Sequence, residues 1–259
     1  MFAHLNCHSN YSFLAGANRI EDLVHAAVDM RCPALALTDT NGLYDAVAFY
    51  RAARNAGIHP IFGVELTGLR PEEVMGKVPK PNLHPLSGSV LRAGVLAKNL
   101  KGFGEICRAI TARQLDPGFS LVDQLAMLSD SVIVLCPDLN LLNHIAQKRG
   151  GQNLYAELAH SADRHILQFA RDKNLPVVAT NRVFFCQPED RETHLLLSAI
   201  RMNTTVHSVP TNEVISSHGW MKSPEQMARL FQHAPDAIRN TLVIAEQCDV
   251  MLPIGTVSF

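Results

Sequence analysis

The sequence predicts an α/β fold: a β/α barrel over residues 1–202, closed rather than open, followed by a helical extension over 203–259. Three observations carry this expectation. Short runs rich in Val, Leu and Ile alternate with amphipathic stretches at helical spacing, the pattern of buried parallel strands joined by helical crossovers. About seven candidate strands are expected, enough to favour closure over an open sheet. Beyond residue 202 the strand-like runs stop and only helical patterns remain.

The elements follow in order. "HLNC" (4–7) reads as the first strand, and in "IEDLVHAAVDM" Ile20, Leu23, Val24, Ala27 and Val28 recur on one helical face. "ALALT" (34–38) is a second strand, and the helix "YDAVAFYRAARNAG" closes on Gly57 just past its end. "HPIFGVEL" (59–66) is again strand. Residues 67–92, dense in proline and glycine, predict a long surface excursion. Then "SVIVLC" (131–136) leads into "LNLLNHIAQKRGG", where Gly150 and Gly151 mark a helix end. "NLYAEL" (153–158) leads into "DRHILQFARDKN", and "LPVVAT" (175–180) into "PEDRETHLLLSAIR". In "KSPEQMARLFQHA", Ser223 is the N-cap, Pro224 the first helical residue and Gln226 the closing partner of a capping box. "PDAIRNTLVIAEQC" is a second helix of the extension. The apolar, extended "LPIGTVSF" has nothing after it to pair with, as expected for a fragment of a longer polypeptide.

Composition narrows the class. A net charge of −1 gives no electrostatic case for nucleic-acid binding by this chain alone and leaves open only a local basic patch. No segment reaches the roughly eighteen uninterrupted apolar residues of a membrane span. The N-terminus lacks a basic region leading into an apolar stretch. The six cysteines, none within four residues of another, suit free buried thiols in a reducing compartment. A soluble, cytoplasmic protein without membrane contact is expected.

In parallel α/β barrels, chemistry gathers at the C-terminal ends of strands. Those positions hold Asn6 and His8, then Asp39, Thr40 and Asn41, Glu65, Cys136 and Asp138, and Asn181, Arg182 and Phe184. A hydrolytic metal cluster needs several converging His, Asp and Glu side chains. This set offers one histidine and few carboxylates. Arg182, if it points inward, repels a divalent cation, because a guanidinium cannot lose its charge. The plain readings are a hydrogen-bonded His8, a Glu65 paired with Arg182 or Arg92, and an Asp39 that caps a turn. His160 and His165 read as a solvated helix start.

Five blocks carry a resemblance: "HLNCHSNYSFLAGA", "ALALTDTNGLYDAVAFYRAARNAGIHPIFGVEL", "VLAKNLKGFGEICRAIT", "LPVVATNRVFFCQPEDRETHLLLSAI" and "WMKSPEQMARLFQHAPDAIRNTLVIAEQC". In that order they resemble the N-terminal PHP (polymerase and histidinol phosphatase) domain of bacterial C-family DNA polymerases, the DNA polymerase III alpha subunit and its error-prone relatives. The resemblance implies a distorted seven-stranded β/α barrel, with the C-terminal extension leading toward a polymerase palm. It also implies a metal site, from which this chain departs. Of the family's His-x-His only His8 is kept, with Asn6 in the other place. Ala15 stands for an acidic residue, Thr40 for the histidine after Asp39, and Arg92 for another histidine. Arg182 and Phe184 replace the last two ligands. His8 and Glu65 remain, too few to hold a cluster.

The expected function is therefore the PHP domain of a DNA polymerase III alpha-type subunit, acting in replication or repair synthesis. It would serve as structural platform and docking surface, with a dismantled metal site, no cofactor and no catalytic residue of its own. Its implied partners are the rest of the parent chain and a proofreading exonuclease subunit, and DNA is met only through the full polymerase. The alternative is an active phosphoesterase or 3′–5′ exonuclease using Zn²⁺ or Mn²⁺, with ligands drawn from His4, His84 or Cys136. A stand-alone protein that kept the fold for another interaction is the third reading.

Overall fold

Side-chain alternation along each strand explains the architecture. The computed structural model describes residues 1–68 and 90–255. Among these, six strands form one curled sheet in the order β1 (Ala34–Leu37), β2 (His59–Thr67), β3 (Arg92–Ala97), β4 (Val132–Cys136), β5 (Leu154–Leu158) and β6 (Val177–Ala179). On the outer face Leu35, Phe62, Val64, Val95, Val134 and Ala156 join the large core under the helices. On the inner face Ala34, Ala36, Ile61, Leu96, Ile133, Leu135, Tyr155 and Val178 form a second cluster. Both faces are buried, which is why the strands read as continuous apolar runs.

Helices α1 (Ile20–Asp29), α2 (Ala46–Asn55), α3 (Leu100–Leu115), α4 (Leu121–Met127), α5 (Leu139–Arg149) and α6 (Arg164–Asp172) cover the outer face. Their ends follow local chemistry. Asn99 caps α3 by accepting from Gly102 N at 3.1 Å, and Asp138 caps α5 by accepting from Leu141 N at 2.8 Å. Gly57 and Gly150 take φ of 73° just past α2 and α5, as their positions in the sequence require. Three further helices, α7 (Arg191–Met202), α8 (Pro224–Leu230) and α9 (Pro235–Gln247), complete the described chain. No described helix is long and apolar enough to cross a membrane.

Two expectations are corrected. The first is all-parallel pairing: β1–β2, β4–β5 and β5–β6 are parallel, but β3 lies antiparallel to both β2 and β4. The chain leaves the sheet at Thr67 and re-enters opposite it at Arg92. A connection that returns at the end it left can only produce an antiparallel neighbour. The residues between, 69–89, lie outside the described ones, and with them most of the predicted excursion and His84.

The second is the strand count and closure. The described ladder has six strands, not seven, and β1 and β6 are not paired with each other. "HLNC" makes only isolated bridges, His4 to Leu35 and Cys7 to Val183. It lies between β1 and the segment after β6, with Ala36 N donating to His4 O and His8 N to Val183 O, each at 2.8 Å. Leu5 joins the inner apolar cluster, yet Asn6 beside it bonds to Glu157, which also faces inward. Two successive inward side chains violate the strand period of two, so no regular ladder forms.

In the helical extension Ser223 and Gln226 form the expected capping box. Ile244 and Ala245 of α9, with Cys248 just past it, complete the inner apolar cluster at the N-terminal end of the parallel strands. Asn240 Nδ2 donates to Val177 O at 2.7 Å and ties α9 to β6.

Candidate functional site

Moving along the inner face from α9 toward the C-terminal ends of the parallel strands, the apolar layer gives way to a charged one. Strand period alone places it. Glu65 shares the face of Ile61 on β2, Glu157 that of Tyr155 on β5, and Arg92 that of Leu96 on β3.

Glu65 is fully buried and is held by two guanidinium groups. Arg182 grips it with a fork, Nη2 to Oε1 at 2.7 Å and Nε to Oε2 at 2.9 Å, and Arg92 Nη1 donates to Oε2 at 3.0 Å. Arg92 Nη1 also reaches Glu157 Oε2 at 3.4 Å, so two carboxylates and two cations balance. The two guanidinium groups and the His8 contact hold the Glu65 carboxyl well below its usual range, although burial pushes it the other way. Glu157 also accepts from Thr180 Oγ1 at 2.7 Å and Asn6 Nδ2 at 2.9 Å.

Asn6 passes this ordering to His8. Its amide nitrogen is committed to Glu157, so its Oδ1 must accept, and His8 Nε2 donates to it at 2.9 Å. Nδ1 then faces Ser12 Oγ at 2.9 Å and Thr40 Oγ1 at 3.4 Å. Burial first, and the opposing effects of Glu65 and the two arginines, bring the His8 pKa down to about 3, a neutral imidazole. Phe184 stacks on that ring at 3.9 Å, with the Arg182 guanidinium 5.3 Å from the phenyl centroid.

Arg182 reaches Glu65 from a left-handed backbone, φ 46°, a conformation costing a non-glycine residue about 1–2 kcal/mol. The neighbouring segment holds it there. Lys222 Nζ donates to Asn181 Oδ1 at 3.2 Å, Asn181 Nδ2 donates to Trp220 O, and Phe184 N donates to Gly219 O at 2.9 Å. Lys222 is itself buried, which lowers its pKa to about 8.

The structure thus brings Asn6, His8, Thr40, Glu65, Arg92, Arg182 and Phe184 together. Asp39 lies beside them and is joined to His8 through Ser12: its carboxylate accepts from Ser9 N at 2.7 Å, Ser9 Oγ at 2.6 Å and Ser12 Oγ at 2.7 Å. Ala15 packs with Phe184, Phe185 and Ile215, and its carbonyl accepts from His194 Nδ1 at 2.7 Å. Cys136 is buried with its pKa pushed up to about 12, and Asp138 caps α5. His4 bonds to Lys222 O at 2.9 Å. His160 accepts from Ala162 N at 3.1 Å, in the helix-start role expected of it. Glu157, Ser9, Ser12, Lys222 and His194 went unmarked in the sequence. Only Glu157 had a visible signal, a lone carboxylate in "YAEL" that repeats the setting of Glu65 in "GVEL".

Residues 4–177 match the PHP domain family. The chain belongs to the PHP domain family. Its curated relatives include polymerases: an error-prone DNA polymerase of Symbiobacterium thermophilum is 30% identical over 98% of this chain. The DNA polymerase III subunit alpha of Buchnera aphidicola is 28% identical over the same share. The chain spans about a quarter of these relatives, 26% and 23% of their lengths. Among solved structures, an amidohydrolase from Chromobacterium violaceum superposes with a TM-score of 0.47 at 16% identity, over 71% of this chain and 88% of that one.

The described residues at this site do not fit a metal cluster. Among the described residues no three His, Cys, Asp or Glu side chains come together to hold an ion. Both oxygens of Glu65 already accept from guanidinium groups, and a divalent ion there would stand against two fixed positive charges.

Proposed function

We propose that this chain is the PHP domain of a bacterial DNA polymerase III alpha-type catalytic subunit, working in replication or repair synthesis. Its former metal site serves as an ion-paired platform, and its surface docks other parts of the polymerase, a proofreading exonuclease subunit among them. Nucleotide incorporation is assigned to the remainder of the parent polypeptide, and this domain meets DNA only through it. The observation that carries the reading is the Arg182 fork on Glu65, seconded by Arg92. It satisfies by hydrogen bonds the buried carboxylate that a metal would otherwise neutralise.

Elemental analysis of the purified protein, with hydrolysis of a chromogenic phosphoester assayed with and without Mn²⁺, tests the platform. Substoichiometric metal and no Mn²⁺-dependent turnover are expected. Stoichiometric, tightly held Zn²⁺ or Mn²⁺ with turnover would replace it by the metal-dependent phosphoesterase or 3′–5′ exonuclease reading.

A further inference from the structure

Helix α7 buries mainly polar side chains and leaves two large apolar ones outside. A helix on a protein surface ordinarily lays its apolar stripe on the core and shows polar residues to water. In α7 the buried residues are His194, Ser198 and Arg201, at 0%, 0% and 6% exposure, with Ala199 the one apolar side chain among them, while Leu196 and Ile200 stand 52% and 56% exposed on the opposite side. The polar stripe is anchored. His194 Nδ1 donates to Ala15 O at 2.7 Å, Ile215 N donates to His194 Nε2 at 2.9 Å, and Arg201 Nη2 donates to Glu213 O. These bonds fix the helix about its axis, so the outward direction of Leu196 and Ile200 is set by the fold. Ser198 Oγ is buried with no hydrogen-bond partner among the described residues, and such a group costs free energy where it is buried. Val206, 39% exposed just beyond the helix, adds to the exposed apolar residues of this region.

We propose that the Leu196–Ile200 face of α7 is a docking surface for an apolar segment in the remaining part of the parent polypeptide. This rests on the reading of the chain as a polymerase PHP domain. Two observations choose that occupant. Three apolar side chains fall far short of the roughly 800 Å² per partner that a stable free complex or dimer buries. A segment in the same polypeptide needs no such area, because its effective concentration at the patch reaches the mM range. And the relatives have that polypeptide, since this chain matches only about a quarter of their length.

Hydroxyl-radical footprinting of the 259-residue chain and of the full-length polypeptide that contains it decides the matter. Leu196 and Ile200 are expected to be oxidised freely in the short chain at every concentration, and to be protected several-fold in the long one. The Leu196→Glu/Ile200→Glu variant should leave the thermal midpoint of the short chain unchanged and should speed proteolytic release of this domain from the long one. Equal oxidation in both chains overturns the docking surface, as does protection in the short chain that grows with concentration, the mark of self-association. A reading frame without a polymerase remainder would instead sink the proposed function, so the two failures are distinguishable.

Discussion

The two ends of the sheet interior solve the same packing problem with opposite chemistry. At the N-terminal end Ile61, Leu96, Ile133, Leu135 and Val178 close on Ile244 of α9. Their attraction has no direction, and it scales with the apolar area taken from water. At the other end Glu65, Glu157, Arg92, Arg182, Asn6 and His8 meet through hydrogen bonds with fixed donors and acceptors. An apolar layer yields a little when one member shrinks. In the charged layer, each group removed leaves another buried and unanswered. One end is tolerant and stabilising, the other exacting.

Acid should expose this contrast most strongly. His4, His8 and His194 have folded pKa values of about 4, 3 and 4, below the ordinary 6.5, because burial disfavours their charged forms. The unfolded chain therefore binds more protons, so their contribution is whole above pH 6.5 and is lost as pH falls toward 4. Each contributes a slope of about 1.4 kcal/mol per pH unit within that window. Glu65, with its lowered pKa, acts in the same sense below its ordinary 4.5, whereas the raised pKa of Asp39 opposes both. Denaturant midpoints measured from pH 7 to pH 4 should fall steeply; a flat profile would mean that these histidines are solvated.

Arg182→Ala should cost about 3 kcal/mol by urea denaturation, since it takes both bonds of the fork from a buried carboxylate and leaves it only Arg92. The paired Arg182→Met/Glu65→Leu variant should recover much of that loss, because matched apolar groups leave no charge behind. If the pair is as damaging as the single change, the charged layer is not a self-contained unit. At the tolerant end Leu135→Ala should cost about 2–5 kcal/mol through the cavity it opens, and Ile133→Val only about 1 kcal/mol. The smallest effect is local: Ser223→Ala removes the α8 cap and should cost about 1 kcal/mol, with helix content elsewhere unchanged in circular dichroism.

Much of this was legible in advance. Apolar runs located five of the six described strands, caps and glycines located helix ends, and the pairing of Glu65 with Arg182 or Arg92 was anticipated from charge alone. What escaped had no local signature. β3 is a short "RAGVLA" whose small residues resemble neither a buried strand nor a helix, and Gly94 packs against Leu135 of its neighbour. Its antiparallel direction depends on where the chain returns after residue 68. Ser9 and Ser12 look like ordinary turn residues until Asp39 is folded onto them. α9 reads only as a second helix of the extension, and its packing against the inner face of the sheet has no local signal.

The sequence by itself determined the alternation of strand and helix, the helix ends marked by caps and glycines and the residue types at the strand ends, because these depend on residue identity and on spacing within a few turns of chain. Only the tertiary structure decided which arginine forks Glu65, which way β3 runs, which tautomer His8 adopts and which face α7 shows to water. Those outcomes depend on directional bonds between residues up to 238 positions apart, as between Ala3 and Thr241, and no local pattern encodes the direction of a bond to a partner that far along the chain.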